Sequence, residues 1–203
     1  MYALVEDGSI SKLITNPKAM VIGDVRYPAK IFSVWSQSEL NAIGIYEVIT
    51  NSTNFKDQAY YINTNEEYNF ADNQVTRSWG TATPKRLEDE DAVDQDGENV
   101  LDDDGNQVIN YGLKTEKKRI IKQQASGLLA PTDWYVVKST EVADYDVPAN
   151  ILSFRADVRA KSNEMETQID ACTTVEQLET LYTYTTDDDG VQSRPLAEFP
   201  KEI

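Results

Sequence analysis

One short segment of the chain, residues 88–104, contains ten acidic side chains and no basic one. An eight-residue pattern, D-x-D-G-x-x-V-(L/I), occurs there twice in succession, at 94–101 and 102–109. An Asp-Gly pair favours a tight turn because glycine accepts a positive φ, and the two apolar residues that follow are typical of a strand. Two copies are too few for a solenoid. We therefore predict an acidic β-hairpin arm at residues 87–112, between two regions of different character.

Residues 1–86 are predicted to be mainly β-structure. Short runs of β-branched and aromatic residues alternate there with Asn, Asp, Gly and Pro, which favours antiparallel strands joined by turns. Ser36 and Glu39 have the spacing of a capping box and predict the start of one short helix. Gly44 is placed to end that helix.

Residues 113–185 are predicted to be helical, and residues 186–203 to be an irregular tail. A basic helix is expected from residue 114 to residue 129, ended by Pro131. A long helix follows, with one apolar face formed by Ile151, Phe154, Val158, Met165 and Ile169. Thr173 and Glu176 form a second capping box and predict a short third helix. The predicted fold class is α+β: an N-terminal antiparallel β region with one short helix, a central acidic arm and a C-terminal helical hairpin with a short third helix.

The composition excludes several kinds of chemistry. The chain has no histidine and one cysteine, Cys172, so it has no Ser-His-Asp or Cys-His couple and no multi-cysteine zinc site. Aligning Gly97, Gly105 or Gly190 with the sixth position of an EF-hand loop leaves position 1 without a carboxylate and position 12 without a glutamate in every case. We predict no metal, no cofactor and no enzymatic activity.

The charge balance also narrows the class of partner. The chain has 35 acidic and 19 basic residues, a net charge of −16, whereas phosphate backbones are bound mostly by Lys and Arg. No apolar run approaches the ~20 residues of a membrane-spanning helix. We therefore expect a soluble protein that binds neither nucleic acid nor membrane. The basic side chains in 114–122, among them Lys117 and Lys118, are expected to pair with the acidic segment, within the chain or in a neighbouring subunit.

The segment from Leu128 to Trp134, together with residues 147–159, forms the most distinctive pattern of the chain, L-L-x-x-(S/T)-D-W … P-x-x-I-x-x-(Y/F)-R-x-x-(V/L)-R. We expect Trp134 to bury a large apolar area with its N–H bonded. Arg155 and Arg159 lie four residues apart, on one helix face, and could pair with Asp133 or with a partner's carboxylates. Two interpretations remain open at this point: an intramolecular lock between helices, and a docking surface for another protein.

This arrangement resembles the C-terminal region of bacteriophage tail proteins of the tail fibre assembly, or tail assembly chaperone, family. The likeness covers residues 114–172 well and residues 1–50 loosely, and it does not include the acidic middle. It implies a protein made in the host bacterial cytoplasm and located in the virion tail, with other phage tail or fibre proteins as partners and homo-oligomeric or ring-like contacts. The candidate partner-contact residues are Asp133, Trp134, Arg155, Arg159, Lys117 and Lys118.

We expect a non-enzymatic structural component of the virion, at the baseplate or the tail-fibre attachment region. Two alternatives stay open. The first is a tail fibre assembly chaperone that is absent from the mature virion. The second is a glycan-binding receptor module, in which Trp35, Trp79 or Trp134 would be a platform for a sugar ring.

Overall fold

A computed structural model describes residues 1–201 of the chain. The chain divides into two compact units, Met1–Thr83 and Pro84–Ile203. Strands predominate in the first unit and helices in the second, so the predicted α+β class is confirmed.

A five-stranded sheet forms the centre of the first unit. Its strands are β1 (Tyr2–Glu6), β2 (Ser9–Ile14), β5 (Ile45–Thr50), β7 (Glu67–Ala71) and β8 (Gln74–Ser78), in the order β2-β1-β5-β8-β7. The sheet is mixed rather than antiparallel as predicted, because β5 and β8 run parallel, with Val48 opposite Val75. The outer strands β2 and β7 approach within 8 Å, so the sheet curls and leaves less free edge than an open sheet would.

Smaller elements surround this sheet: β3 (Met20–Ile22), β4 (Val25–Tyr27), α1 (Ile31–Val34), α2 (Gln37–Ala42), β6 (Tyr61–Ile62) and β9 (Thr83–Pro84). The capping box at the start of α2 is confirmed: the Ser36 hydroxyl accepts from the Glu39 N–H, and the Glu39 carboxylate accepts from the Ser36 N–H. Helix α1 was not predicted. Two of its four residues, Ile31 and Phe32, pack on the apolar cluster that also contains Leu40 and Ile45.

The second unit begins with the predicted acidic arm, which is not a simple hairpin. Strands β10 (Glu90–Asp91) and β11 (Ile109–Asn110) pair with each other, and the repeats between them form two further hairpins. The three-residue segments 91–93, 99–101 and 107–109 close into a ring with pseudo-three-fold symmetry, which we call the repeat ring. The bridges that join its segments are Val93 to Asn99, Leu101 to Gln107, and Ile109 to Asp91.

The middle residues of the three segments hold the repeat ring together. The N–H of Val100 donates to the carbonyl of Ala92 (2.9 Å), the N–H of Val108 to that of Val100 (2.9 Å), and the N–H of Ala92 to that of Val108 (2.8 Å). Two of these hydrogen bonds join residues eight positions apart, which is the period of the repeat, and the third closes the cycle between Ala92 and Val108. Its third member comes from the chain just before the two recognisable copies.

Four α-helices follow: α3 (Leu113–Leu129), α4 (Asp133–Glu141), α5 (Ala149–Ala171) and α6 (Val175–Tyr182). Helices α3 and α5 pack against each other, and the predicted apolar face of α5 is confirmed, because all five of its residues are buried. Pro131 does not end the helical path, since a 3-10 turn (Ala130–Thr132) passes through it into α4. Helix α6 is capped by Thr174, one residue later than predicted. The Thr174 hydroxyl accepts the N–H of Gln177.

Residues 186–203 were expected to be irregular, but part of this segment forms a hairpin. Strands β12 (Thr185–Thr186) and β13 (Gln192–Ser193) pair around a loop with the same hydrogen bonds as the loops of the repeat ring. Beyond the hairpin, Leu196 is buried and its N–H donates to the carbonyl of Leu181 (3.0 Å), which ties the chain back to α6.

Candidate partner-docking site

Arg155 organises the corner between α3 and α4. It lies on α5 with only 7% of its surface exposed, although its charge would ordinarily keep it in water. One of its terminal nitrogens, Nη1, lies 3.0 Å from the carbonyl of Leu129, 2.6 Å from the hydroxyl of Thr132 and 2.8 Å from the carboxylate of Asp133. The predicted pairing of Arg155 with Asp133 is therefore present, and it is intramolecular.

Arg159 has a lesser part in this corner. Its side chain is exposed, and its Nη1 donates to the carbonyl of Arg155 at 3.3 Å. The structure thus separates two residues that the sequence pattern treated alike. Arg155 is a buried clamp, and Arg159 lies on the surface beside it.

The corner holds in place a helix that buries none of its own residues. All nine positions of α4 are partly or fully exposed. The prediction that Trp134 buries a large apolar area is wrong, because 52% of its surface is exposed and its ring stacks on Tyr135 with centroids 3.9 Å apart. Val137 is also 52% exposed. We call the exposed side chains of Trp134 and Val137, which lie three positions apart on one side of the helix, the α4 surface.

A single lysine is placed beside this surface. The Nζ of Lys138 lies 5.7 Å from the ring centroid of Trp134 and 4.2 Å from that of Tyr145. Such cation–π contacts position a lysine side chain without burying its charge. An exposed apolar group that contains a tryptophan is typical of a protein-binding surface.

The basic turns of α3 pair mainly with α5 rather than with the acidic segment. Lys118 contacts Asp170 at 2.7 Å, and this hydrogen bond raises the pKa of the lysine above its usual value. Lys122 contacts Glu166 at 3.2 Å. Lys117 lies over the ring of Tyr182, at 4.5 Å from its centroid. These contacts fasten α3 to its neighbours, so Lys117 and Lys118 belong to the helix packing and lie apart from the Arg155 corner.

The predicted pairing of the basic turns with the acidic segment is present at one point, between Lys114 and Glu88, and Asp89 makes a further contact with α3. The carboxylate of Asp89 accepts the N–H of Gly112 (2.7 Å) and the hydroxyl of Thr115 (2.9 Å), and Glu88 pairs with the buried Lys114. A carboxylate at this position satisfies N–H groups that have no partner within the helix and complements its dipole. A Cβ at Gly112 would collide with the Glu88 backbone, so glycine is required there.

The aspartates of the repeats hold the loops of the repeat ring. One carboxylate oxygen of Asp94 accepts the N–H groups of Asp96 (2.9 Å) and Glu98 (3.0 Å), and Asp102 does the same with Asp104 and Asn106. The hydrogen bonds to Asn106 lower the pKa of Asp102. Within residues 1–201 no group of three or more carboxylate or thiol side chains is placed to hold a metal ion.

Neighbouring side chains cover Trp79, a candidate platform for a sugar ring. Trp79 is in contact with the ring of Phe55, centroids 4.7 Å apart, and with the guanidinium of Arg77 at 4.5 Å, so little of its face is left for a sugar.

Cys172 is buried at the end of α5, and burial raises the pKa of its thiol. Burial also raises the pKa of Tyr182 to about 12.

Comparisons of the chain with protein-family models, with curated proteins and with solved structures found no match. Over residues 1–201, no helix is both long and apolar enough to cross a membrane.

Proposed function

We propose that this chain is a non-enzymatic structural component of a bacteriophage tail, attached to another tail protein at the baseplate or the tail-fibre attachment region through the α4 surface. The observation that carries the proposal is α4 itself, a helix that buries none of its residues and has a half-exposed Trp134 at its start. A helix with so little burial of its own gains most from burial against a partner. The sequence resemblance supplies the class of partner.

The Arg155 clamp supports the same proposal. A helix that buries none of its residues needs a fixed starting direction if it is to dock reproducibly, and a buried guanidinium with three acceptors at its first turn provides one. Preorganisation of this kind lowers the conformational entropy that binding must remove. The intramolecular lock and the docking surface are therefore parts of one arrangement rather than competing interpretations.

Quantitative mass spectrometry of purified particles of the phage that encodes the chain tests this proposal. We expect the chain in the particle at a fixed ratio to a known tail protein, unchanged by repeated density-gradient purification. If the chain is abundant in infected cells and absent from purified particles, the virion role is contradicted and the chaperone alternative is supported. A Trp79→Ala variant that loses binding on a glycan array would instead support the receptor alternative.

A further inference from the structure

The repeat ring has apolar side chains on its surface and acidic residues at every corner. Val93 and Leu101 occupy equivalent positions in successive segments, and 55% and 57% of their surfaces are exposed. The loops beside them, 94–98 and 102–106, contain six acidic residues and no basic one. Exposed apolar side chains within a strongly charged surface indicate an interaction site whose partner has the opposite charge.

From these observations we infer that the repeat ring is a docking surface for a basic, three-fold symmetric protein, that is, for the end of a homotrimer. The ring repeats the same backbone three times around one axis, with bridges between residues 93 and 99, 101 and 107, and 109 and 91. A homotrimer presents the same side chains three times around its own axis. Coaxial docking places one subunit at each segment of the ring, so a contact that one subunit makes with Val93 is repeated by the second subunit at Leu101 and by the third at Ile109.

The third corner differs from the other two in a way that explains how the ring is fixed. There the chain passes into and out of the ring, Arg86 pairs with Glu90, and Asp89 caps α3. This corner is therefore the stem that attaches the ring to the helices. The other two corners, which carry the Asp-Gly loops, are free of such attachments to α3 among the hydrogen bonds of residues 1–201.

Charge argues against a second copy of this chain as the occupant. Residues 84–203 contain 26 acidic and 13 basic residues, a net charge of −13, whereas residues 1–83 contain nine acidic and six basic ones. Two such surfaces repel each other, and a basic partner is attracted to the ring over a distance of about 10 Å at ordinary ionic strength.

Site-specific photo-cross-linking in infected cells tests the inference. Val93 and Leu101 are replaced, one at a time, by the photoreactive p-benzoylphenylalanine in an affinity-tagged chain, and Val191 is the matched control. Val191 is 57% exposed and lies in the hairpin loop with the same geometry, outside the ring. We expect positions 93 and 101 to capture the same peptide of the same protein, and position 191 not to capture it.

The mass of the uncross-linked complex provides the second criterion. Native mass spectrometry of the complex isolated from the same cells is expected to show one copy of this chain for every three copies of the captured protein. Different peptides at positions 93 and 101, equal capture at 191, a ratio other than one to three, or no capture at all would each overturn the inference.

Charge variants test the electrostatic part. A four-site variant carries Asp96→Asn, Glu98→Gln, Asp103→Asn and Asp104→Asn, and it keeps Asp94 and Asp102, which hold the loops. We expect this variant to form about tenfold less complex with the captured protein than the wild type does. Asp188→Asn with Asp189→Asn is the control, with no expected change, and far-UV circular dichroism confirms that each variant folds. Equal yields from the four-site variant and the wild type would overturn the basic character of the partner.

The partner search assumes the proposed phage context, but the two can fail separately. If the chain is missing from purified particles while positions 93 and 101 still capture one trimeric protein in infected cells, the virion role fails and the docking inference stands. If the chain is present in particles and the ring captures nothing, the reverse is true.

Discussion

At the scale of single residues, Arg155 decides the local architecture more than any other side chain in the second unit. One nitrogen of its guanidinium, Nη1, contacts both the last residue of α3 and the first residue of α4. A buried cation is stabilising only when its hydrogen-bonding capacity is met, and removing one partner of such a set is costly.

We predict that Arg155→Met lowers the free energy of unfolding by about 2–3 kcal/mol, because the carbonyl of Leu129 and the hydroxyl of Thr132 lose a donor. Urea unfolding followed by tryptophan fluorescence measures the loss. Arg159→Met, four residues away and exposed, is the control and should change stability by less than about 0.5 kcal/mol. Equal losses in the two variants would show that Arg155 is not a clamp.

A second residue-scale prediction concerns Asp102. Because backbone hydrogen bonds lower its pKa in the folded state, its contribution to stability is present above the unfolded pKa of about 3.9 and is lost as pH falls below that value. Asp102→Asn keeps an oxygen acceptor and should hold the loop without this acid dependence, whereas Asp102→Ala should lose the loop at every pH. NMR shifts of the Asp104 and Asn106 amides between pH 2 and pH 7 distinguish the three proteins, and an identical titration in the wild type and Asp102→Asn would contradict the assignment.

The sequence predicted the chemistry of these residues better than their burial. The spacing of Arg155 and the motif around Asp133 suffice to suggest an ion pair, because residue types and helical phase are readable locally. The exposure of Trp134 is not readable in this way. A tryptophan is usually buried, but over residues 1–201 Trp134 is 52% exposed, on a helix that buries none of its residues.

At the scale of elements, the repeat ring behaves as one closed unit. Each of its three central hydrogen bonds depends on the other two, because the cycle from Ala92 through Val100 to Val108 returns to its start. The two glycines in its loops have φ near +80°, a conformation in which other residues are strained.

We predict that Gly105→Ala reduces amide-exchange protection at Ala92, Val100 and Val108 together, although the substitution lies in only one loop. The strain costs about 1 kcal/mol, and a cyclic set of bonds opens as a whole. Hydrogen exchange measured by NMR gives the protection at each amide, and Gly190→Ala, in the separate hairpin, should leave all three unchanged. A loss of protection confined to Val108 would show that the ring is not cooperative.

Helices were predictable because their signal is periodic and continuous, as in the five buried residues of α5. The ring was predictable only in part. Its two Asp-Gly loops are visible as a repeat, but the segment 91–93 carries no turn signature and is recruited by hydrogen bonds to residues up to 16 positions later. The parallel pairing of β5 with β8 was missed for a similar reason, since pairing direction is set by the tertiary path rather than by local pattern.

At the scale of the whole molecule, charge and thiol chemistry are unevenly divided between the units. The second unit carries most of the net negative charge and the single cysteine, Cys172. Because that thiol is buried and burial raises its pKa, its reaction with alkylating reagents requires the second unit to open around the end of α5.

We predict that Cys172 in the native protein at pH 7.5 reacts with iodoacetamide roughly a thousandfold more slowly than in urea, as expected for a unit that is stable by at least about 4 kcal/mol. The rate as a function of urea concentration then shows whether this opening is local or is the unfolding of the whole second unit. The reference is the alkylation rate of Cys172 in the urea-unfolded chain. If the native and unfolded alkylation rates differ by less than a factor of ten, the burial of Cys172 is contradicted.

The most direct test of the proposed function is incorporation of the chain into phage particles. In a phage lacking its own copy, plasmid-encoded wild-type chain and a variant with Trp134→Ser and Val137→Ser are expressed, and copies per purified particle are counted by quantitative mass spectrometry. The control is Val191→Ser, since Val191 is equally exposed but lies outside the α4 surface. We expect wild-type incorporation for the control and at least about a tenfold reduction for the α4 variant. Full incorporation of a folded α4 variant would contradict attachment through this surface.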